Sequence, residues 1–184
     1  MANTSSNMLP LETKAPDFTL LDTVSNSVIN LNSFKGVQGT VIMFICNHCP
    51  FVIHVNSQLV RIANMYTKAG IAFIAISSND ANNYPQDGPK NMKIHAKNEG
   101  YPFPYLYDET QNIAKAYDAA CTPDLYVFDK DLKLKYRGQL DDSRPGNGLP
   151  VTGNDLKHAL DCLIENKENT QIQKPSIGCN IKWK

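Results

Sequence analysis

The pattern of apolar and polar residues divides the chain into alternating strand-like and helix-like segments. Residues 40–45 form a continuous β-branched and apolar run after Gly39, which is typical of a central strand buried on both faces, and residues 71–76 repeat the pattern. Between the two runs, apolar residues recur at three- and four-residue spacing. This spacing predicts a helix that begins near Pro50 and is closed by Gly70. Its apolar face consists of Val52, Val55, Leu59, Ile62 and Tyr66.

Shorter segments complete the alternation. Residues 15–21 and 28–31 predict a strand pair with a turn at residues 25–26, and residues 125–129 and 132–137 predict a second hairpin. This order of strands and helices predicts an α/β fold: a three-layer α/β/α sandwich with a mixed central sheet and an N-terminal β-hairpin extension. Further helices are predicted over residues 89–97, over residues 110–118 with Asp108 as the cap, and over residues 152–166.

The length of 184 residues fits one domain, which we expect over residues 10–166. Residues 167–184 form a C-terminal tail, which is polar until Ile177, Ile181 and Trp183. Because these apolar side chains gain from burial, we expect the tail to dock on the domain.

Charge and hydropathy narrow the classes of partner. Eighteen basic and eighteen acidic residues cancel, so we expect neither nucleic acid nor a membrane surface as a partner. The strongest apolar run has the length of a strand, far below the roughly 20 residues of a membrane helix. Residues 1–7 contain neither a basic region nor an apolar stretch, so no secretory signal is visible and a cytoplasmic location is expected.

The five cysteines are an odd number in a chain that is not small, which does not favour a disulfide framework. In a reducing compartment, closely spaced cysteines indicate catalysis or metal binding. Plain buried thiols and a zinc site are the alternatives, but the second pair of ligands that a structural zinc site usually shows is missing, so no metal is predicted. The cysteines are Cys46, Cys49, Cys121, Cys162 and Cys179. A zinc ion could use Cys46, Cys49, Cys179 and either His48 or His54.

The local sequence indicates which cysteine is the nucleophile. Proline favours the first position of a helix and keeps the preceding residue out of helical dihedral angles, so Pro50 makes Cys49 the N-cap. A helix N-terminus lowers the pKa of a thiol through its free N–H groups and its dipole. We therefore predict that Cys49 is the nucleophile and that Cys46 resolves the intermediate. His48 would favour the thiolate or transfer the proton.

A second part of the site is predicted around Thr122 and Pro123. An X-Pro pair directly before a buried strand is a common place for a cis peptide bond. Such a turn would bring the backbone of Thr122 against the cysteine loop and Cys121 near the other two sulfurs. Whether the tail brings Cys179 next to Cys49 as another resolving thiol stays open.

Several of these segments resemble known redox proteins. A strand, a C-x-x-C, a helix and then Thr-Pro before a hairpin resemble the thioredoxin fold, and residues 15–20 are similar to the start of redoxin domains. Residues 44–52, 136–145 and 178–183 resemble more narrowly a peroxiredoxin-like thioredoxin family within the AhpC/TSA superfamily. The resemblance implies a thiol–disulfide oxidoreductase without a cofactor. Its partners would be a protein or small-molecule disulfide, or a hydroperoxide, and a cellular thiol reductant.

The chain departs from the pattern of these families in ways that leave other functions open. Cys46 stands where peroxiredoxins have a threonine, and residues 121–123 replace their arginine, so peroxide activation would need Arg137 or Arg144. By strand length, Cys49 fits the first cysteine of the thioredoxin motif, which leaves Val52 at the second. An antioxidant thiol peroxidase is the first alternative. A non-enzymatic module that senses redox state or binds metal is the second.

Overall fold

The structure, a computed structural model, describes residues 3–184, so Met1 and Ala2 of the segment considered for a secretory signal lie outside it. Its strands are β1 (Asn3–Ser5), β2 (Thr19–Leu21), β3 (Val28–Asn30), β4 (Gly39–Phe44), β5 (Ile71–Ser77), β6 (Tyr105–Tyr107), β7 (Cys121–Thr122), β8 (Asp124–Asp129), β9 (Leu134–Gly138) and β10 (Ile177–Asn180). Its helices are α1 (Leu31–Phe34), α2 (Pro50–Tyr66), α3 (Pro89–Glu99), α4 (Asn112–Ala116) and α5 (Asn154–Ile164).

The central sheet has five strands in the order β6-β5-β4-β8-β9, and β4 pairs parallel to β5 and antiparallel to β8. All six residues of β4 are buried, because each face of the sheet is covered by an apolar layer. One layer includes Leu59 of α2, Met92 of α3 and Leu156 of α5. The other includes Leu31 of α1 and Ala114 of α4. The three-layer α/β/α sandwich with a mixed sheet is therefore confirmed, and β2 and β3 form the N-terminal hairpin.

Some predicted boundaries are wrong for local reasons. The last helix begins at Asn154 rather than at residue 152, because the Asp141 carboxylate accepts hydrogen bonds from the N–H groups of Thr152 and Gly153 at 2.6 Å. The helix predicted over residues 110–118 shrinks to α4, which begins after Gln111. The predicted strand over residues 15–21 is reduced to β2.

Strand β6 was not predicted. It has three residues, follows Pro104, and pairs parallel to β5 at the edge of the central sheet. A segment this short shows no measurable hydrophobic period, so its strand conformation comes from pairing with β5 rather than from its own sequence.

The C-terminal tail contains β10, which was likewise not predicted as a strand. In a separate three-stranded sheet, β10 lies between β1 and β7 and pairs antiparallel with both. The strand approaches β7 closely at Gly178, where a Cβ atom would lie 2.0 Å from the carbonyl oxygen of Thr122. The tail is thereby held against the segment that follows Cys121. Among the described residues, no helix is long and apolar enough to cross a membrane.

Candidate active site

Cys49 lies at the N-terminus of α2, beyond the carboxyl end of the central strand β4. Pro50 is the first residue of the helix, and Cys49 caps it in an extended conformation with φ −71° and ψ 122°. The prediction that Pro50 makes Cys49 the N-cap is confirmed. The first N–H groups of a helix have no partner within it, and that of Val52 lies within hydrogen-bonding reach of the Cys49 sulfur.

Thr122 contacts both sulfurs of the C-x-x-C segment. The Thr122–Pro123 peptide bond is cis, as predicted. In its thiol form, Cys49 donates a hydrogen bond to the carbonyl oxygen of Thr122 at 3.2 Å. The hydroxyl of the same threonine lies 3.5 Å from the sulfur of Cys46. One residue therefore positions both sulfurs, and both cysteines are almost completely buried.

The surroundings of Cys49 favour its thiolate. The hydrogen bond from the Cys46 thiol contributes most, and hydrogen bonds from Cys179, Thr122 and the N–H of Val52 add to it. These donors outweigh the opposing effect of burial and lower the pKa of Cys49 to about 5. The same hydrogen bond, together with burial, raises the pKa of Cys46 well above its usual value. At neutral pH, Cys49 is therefore the thiolate and Cys46 the thiol that donates to it.

Cys179 brings a third sulfur to this group, because the C-terminal tail docks beside Cys49. It lies on β10 directly opposite Thr122 of β7 and is only 3% exposed. Burial and its hydrogen bond to Cys49 raise the pKa of Cys179 to about 12. Cys49 therefore has two protonated thiols as neighbours, one on the cysteine loop and one on the C-terminal strand.

Cys121 is placed differently. Its sulfur lies 3.6 Å from the carbonyl oxygen of Pro123 and 3.9 Å from that of Ser176, and the pKa of this thiol is raised, first of all by burial. The negative charges of Cys49 and Cys179 also raise this pKa. Side chains alternate along a strand, so Cys121 and its neighbour Thr122 point to opposite sides of β7. Cys121 therefore lies near Cys49, but its hydrogen bonds are to backbone carbonyl oxygens and not to another sulfur.

A buried carboxylate next to Cys46 was missed by the sequence analysis. Asp87 is fully buried, and its oxygens accept hydrogen bonds from the N–H of Asn47 at 2.9 Å and from the amide of Asn79 at 2.8 Å. Nδ1 of His48 lies 2.6 Å from the same carboxylate. An acidic residue in a loop, with no periodic pattern around it, gives no signal in the sequence. Only the folded chain brings it to the cysteine loop.

One set of side chains here has the composition of a metal site. The sulfur of Cys46, a ring nitrogen of His48 and a carboxylate oxygen of Asp87 lie within 4.8 Å of one another. Such ligands suit zinc, but both oxygens of Asp87 already accept hydrogen bonds. The zinc alternative from the sequence shares Cys46 and His48 with this set but lacks Asp87. His54, its other candidate histidine, contacts the hydroxyl of Ser143 at 2.7 Å.

With this geometry established, comparison with known proteins decides the family. A sequence profile described as the AhpC/TSA family matches residues 11–137, which is more than half of the chain. The chain belongs to the AhpC/TSA family. No curated protein matches the chain.

Several solved structures share the fold of this chain. An uncharacterized conserved protein from Geobacillus kaustophilus is 60% identical, with a TM-score of 0.98 over 100% of this chain and 97% of that one. A hypothetical protein from Sinorhizobium meliloti 1021 is 45% identical, with a TM-score of 0.96 over 98% of each chain. The thioredoxin domain of a thiol-disulfide oxidoreductase from Bacteroides vulgatus is 16% identical, has a TM-score of 0.60, and is matched over 71% of this chain and 89% of that one. This last likeness shows the fold, which is thioredoxin-like. Family and fold together indicate a thiol-based redox function.

The two arginines that peroxide activation could use are engaged elsewhere in this member of the AhpC/TSA family. Arg137 is fully buried, donates to the Asp124 carboxylate at 3.0 Å, and stacks 4.4 Å from the ring centre of Tyr126. Arg144 donates to backbone carbonyls of its own loop. Within the described part of the chain, the hydrogen bonds and ion pairs of these arginines do not include Cys49.

Proposed function

We propose that the protein is a thiol–disulfide oxidoreductase in which Cys49 is the nucleophile and Cys46 the resolving thiol. The observation that carries the proposal is the hydrogen-bonded environment at the start of α2, which lowers the pKa of Cys49 to about 5. A nucleophile ionised at neutral pH and a protonated thiol beside it are the two groups that disulfide exchange requires.

The reaction follows from these roles. The Cys49 thiolate attacks one sulfur of the substrate disulfide, whose S–S bond breaks, and the other sulfur leaves as a thiolate. Cys46 then loses its proton and attacks the Cys49 sulfur, which releases the second substrate thiolate and leaves a Cys46–Cys49 disulfide. The departing thiolates take up protons, and a cellular thiol reductant supplies the two electrons that reopen the bridge.

Asp87 supports the second step. Its carboxylate lies within 4.8 Å of the Cys46 sulfur and beside His48, whose side chain is 23% exposed. The carboxylate and the imidazole can therefore pass the proton of Cys46 from a buried position toward solvent. The negative charge of Asp87 also raises the pKa of Cys46, which keeps this thiol protonated until it reacts.

The domain bounds and the cellular location expected from the sequence are also part of this proposal. Residues 10–166 would form the catalytic domain, and residues 167–184 a tail docked on it. The reaction would take place in the reducing cytoplasm, where thiols persist. A thiol peroxidase is the alternative. The contacts of Arg137 and Arg144 count against it, since neither supplies a positive charge to Cys49.

Replacing Cys46 with alanine tests the division of roles. The variant loses the largest contribution to the low pKa of Cys49, so we expect this pKa to rise and turnover of oxidised glutathione to fall. The pH dependence of alkylation at Cys49, followed by mass spectrometry, measures the shift. The matched control is Cys162→Ala on α5, whose sulfur contacts His158 at 3.5 Å. An unchanged pKa of Cys49 in the Cys46→Ala variant would show that the proposed hydrogen bond does not activate the nucleophile.

A further inference from the structure

The C-terminal strand occupies a backbone edge next to the reactive sulfur. Thr122, whose carbonyl oxygen accepts the hydrogen bond of the Cys49 thiol, is paired with Cys179 of β10. The pairing extends along the chain, since the N–H of Ile181 donates to the carbonyl oxygen of Ala120 at 3.1 Å. An exposed strand edge is where an extended polypeptide can add as a further strand. Here the protein's own tail fills that position.

The outer edge of β10 is also covered. Strand β1 pairs with it antiparallel, and Cys179 lies opposite Asn3 while Gly178 lies opposite Thr4. An incoming polypeptide therefore finds no free strand edge at this part of β10. The contact with β7 is tight as well, because the missing side chain of Gly178 leaves room for the carbonyl oxygen of Thr122.

The tail also places a sulfur next to Cys49. Cys179 and Cys49 are joined by a hydrogen bond between their side chains, and both are buried. In a substrate bound by strand addition, a reacting cysteine would have to lie opposite Thr122 to reach the nucleophile. Cys179 has this position in the register.

We propose that β10 occupies the edge of β7 where a polypeptide substrate would pair, so that Cys49 reacts with low-molecular-weight disulfides. We also propose that Cys179 of this strand is a second resolving thiol. The proposal rests on the proposed function. After Cys49 forms a mixed disulfide with the small substrate, Cys179 attacks the Cys49 sulfur. The substrate thiolate leaves and takes up the proton of Cys179, and a Cys49–Cys179 disulfide remains. The substrate gains two electrons and the protein loses two.

The surface beside this strand is shallow. A cavity of about 20 Å³, enough for one water molecule, lies between the first turns of α2 and the start of β10. Phe51, two residues after Cys49, and Ile177, two residues before Cys179, both line it. What limits a polypeptide here is therefore the occupied strand edge of β7 and not the volume of a pocket.

Disulfide mapping in the full-length Cys46→Ala variant tests the role of Cys179. After one equivalent of oxidised glutathione, we expect mass spectrometry to show a Cys49–Cys179 bridge and free glutathione. A lasting glutathione adduct on Cys49 with Cys179 still reduced would overturn the inference while leaving the nucleophile proposed above intact. A Cys49 that stays unmodified even at about pH 9, where an ordinary thiol is ionised, would overturn both. The matched variant Cys46→Ala/Cys179→Ser is expected to retain the adduct.

A comparison of two substrates tests the exclusion of polypeptides. We expect kcat/KM of the unaltered protein for insulin, a polypeptide disulfide, to be at least about tenfold below that for oxidised glutathione, because the main-chain hydrogen bonds of strand addition are denied to insulin. Gly178→Ala, which drives β10 away from Thr122, should raise the ratio of insulin to glutathione turnover. Ile172→Ala is the control, since this side chain of the same C-terminal tail is 91% exposed. Equal efficiency of the unaltered protein toward both substrates would refute the exclusion, even if the Gly178 variant failed to fold.

Discussion

Replacing Cys49 with serine is expected to lower kcat/KM for oxidised glutathione by at least about three orders of magnitude, since loss of a covalent nucleophile removes most of an enzyme's rate enhancement. Serine is close to cysteine in size and can still donate a hydrogen bond to the Thr122 carbonyl, so the fold should persist. Its hydroxyl is not ionised at neutral pH, whereas the donors around Cys49 lower the pKa of that thiol to about 5. The measurement is the initial rate of glutathione disulfide reduction with a dithiol as reductant.

The control for this variant is Cys162→Ser. Cys162 lies on α5, where its sulfur contacts His158, and its pKa is raised by burial rather than lowered. We expect this variant to keep the parental rate. Parental activity of the Cys49→Ser variant would instead show that another cysteine starts the reaction and would contradict the assignment of roles.

Replacing Arg137 with methionine is expected to destabilise the fold by about 3–5 kcal/mol at neutral pH, the usual cost of leaving one partner of a buried ion pair uncompensated. The Asp124 carboxylate at its side is fully buried and also contacts the hydroxyl of Tyr126 at 3.3 Å. Methionine fills much of the space of the arginine stem, so the variant loses the positive charge without leaving a large cavity. Urea unfolding measures the change in the free energy of unfolding.

The loss of stability in the Arg137→Met variant should depend on pH. Burial raises the pKa of Asp124 to about 6 although Arg137 opposes the shift, so this pKa lies above the value of about 3.9 for an unfolded chain. A group whose pKa is higher in the folded state than in the unfolded chain stabilises the fold most at pH values below its unfolded pKa. This stabilisation is lost as the pH rises through the folded pKa. Without Arg137 the pKa of Asp124 rises further, so the deficit of the variant should be small near pH 5 and large near pH 8. Arg61→Met on the exposed face of α2 is the control. A deficit independent of pH would contradict this account of the pair.

The Arg137→Met variant also tests whether the role of Arg137 is structural or catalytic. Arg137 contacts Asp124 and Tyr126 rather than the cysteine loop. Variant protein that is still folded should therefore keep its rate of disulfide reduction. A specific loss of peroxide consumption at unchanged stability would revive the peroxidase alternative.

The parts of the site that the sequence predicts are those whose geometry depends on adjacent residues. Pro50 defines the start of α2 and with it the capping position of Cys49. The Thr122–Pro123 pair before β8 predicts a cis bond, and the structure has one. The buried strand over residues 40–45 needs only its unbroken apolar run to be recognised.

The parts that the sequence does not predict depend on contacts between distant segments. Asp87 is forty residues from its hydrogen-bond partner Asn47, and no periodicity connects them. Strand β10 contains the glycine and cysteine of a family-like segment, but that segment shows no strand pattern, and its conformation comes from pairing with Thr122 and Asn3.

The most direct test is the ionisation of Cys49 in the reduced, full-length protein. Iodoacetamide alkylates thiolates, so the alkylation rate of each cysteine as a function of pH, resolved by mass spectrometry, gives the pKa of each thiol. We expect Cys49 to reach half of its maximal rate near pH 5, before any other cysteine. A midpoint at or above about 8.5, the value of an ordinary thiol, with Cys46 reacting first, would contradict the account.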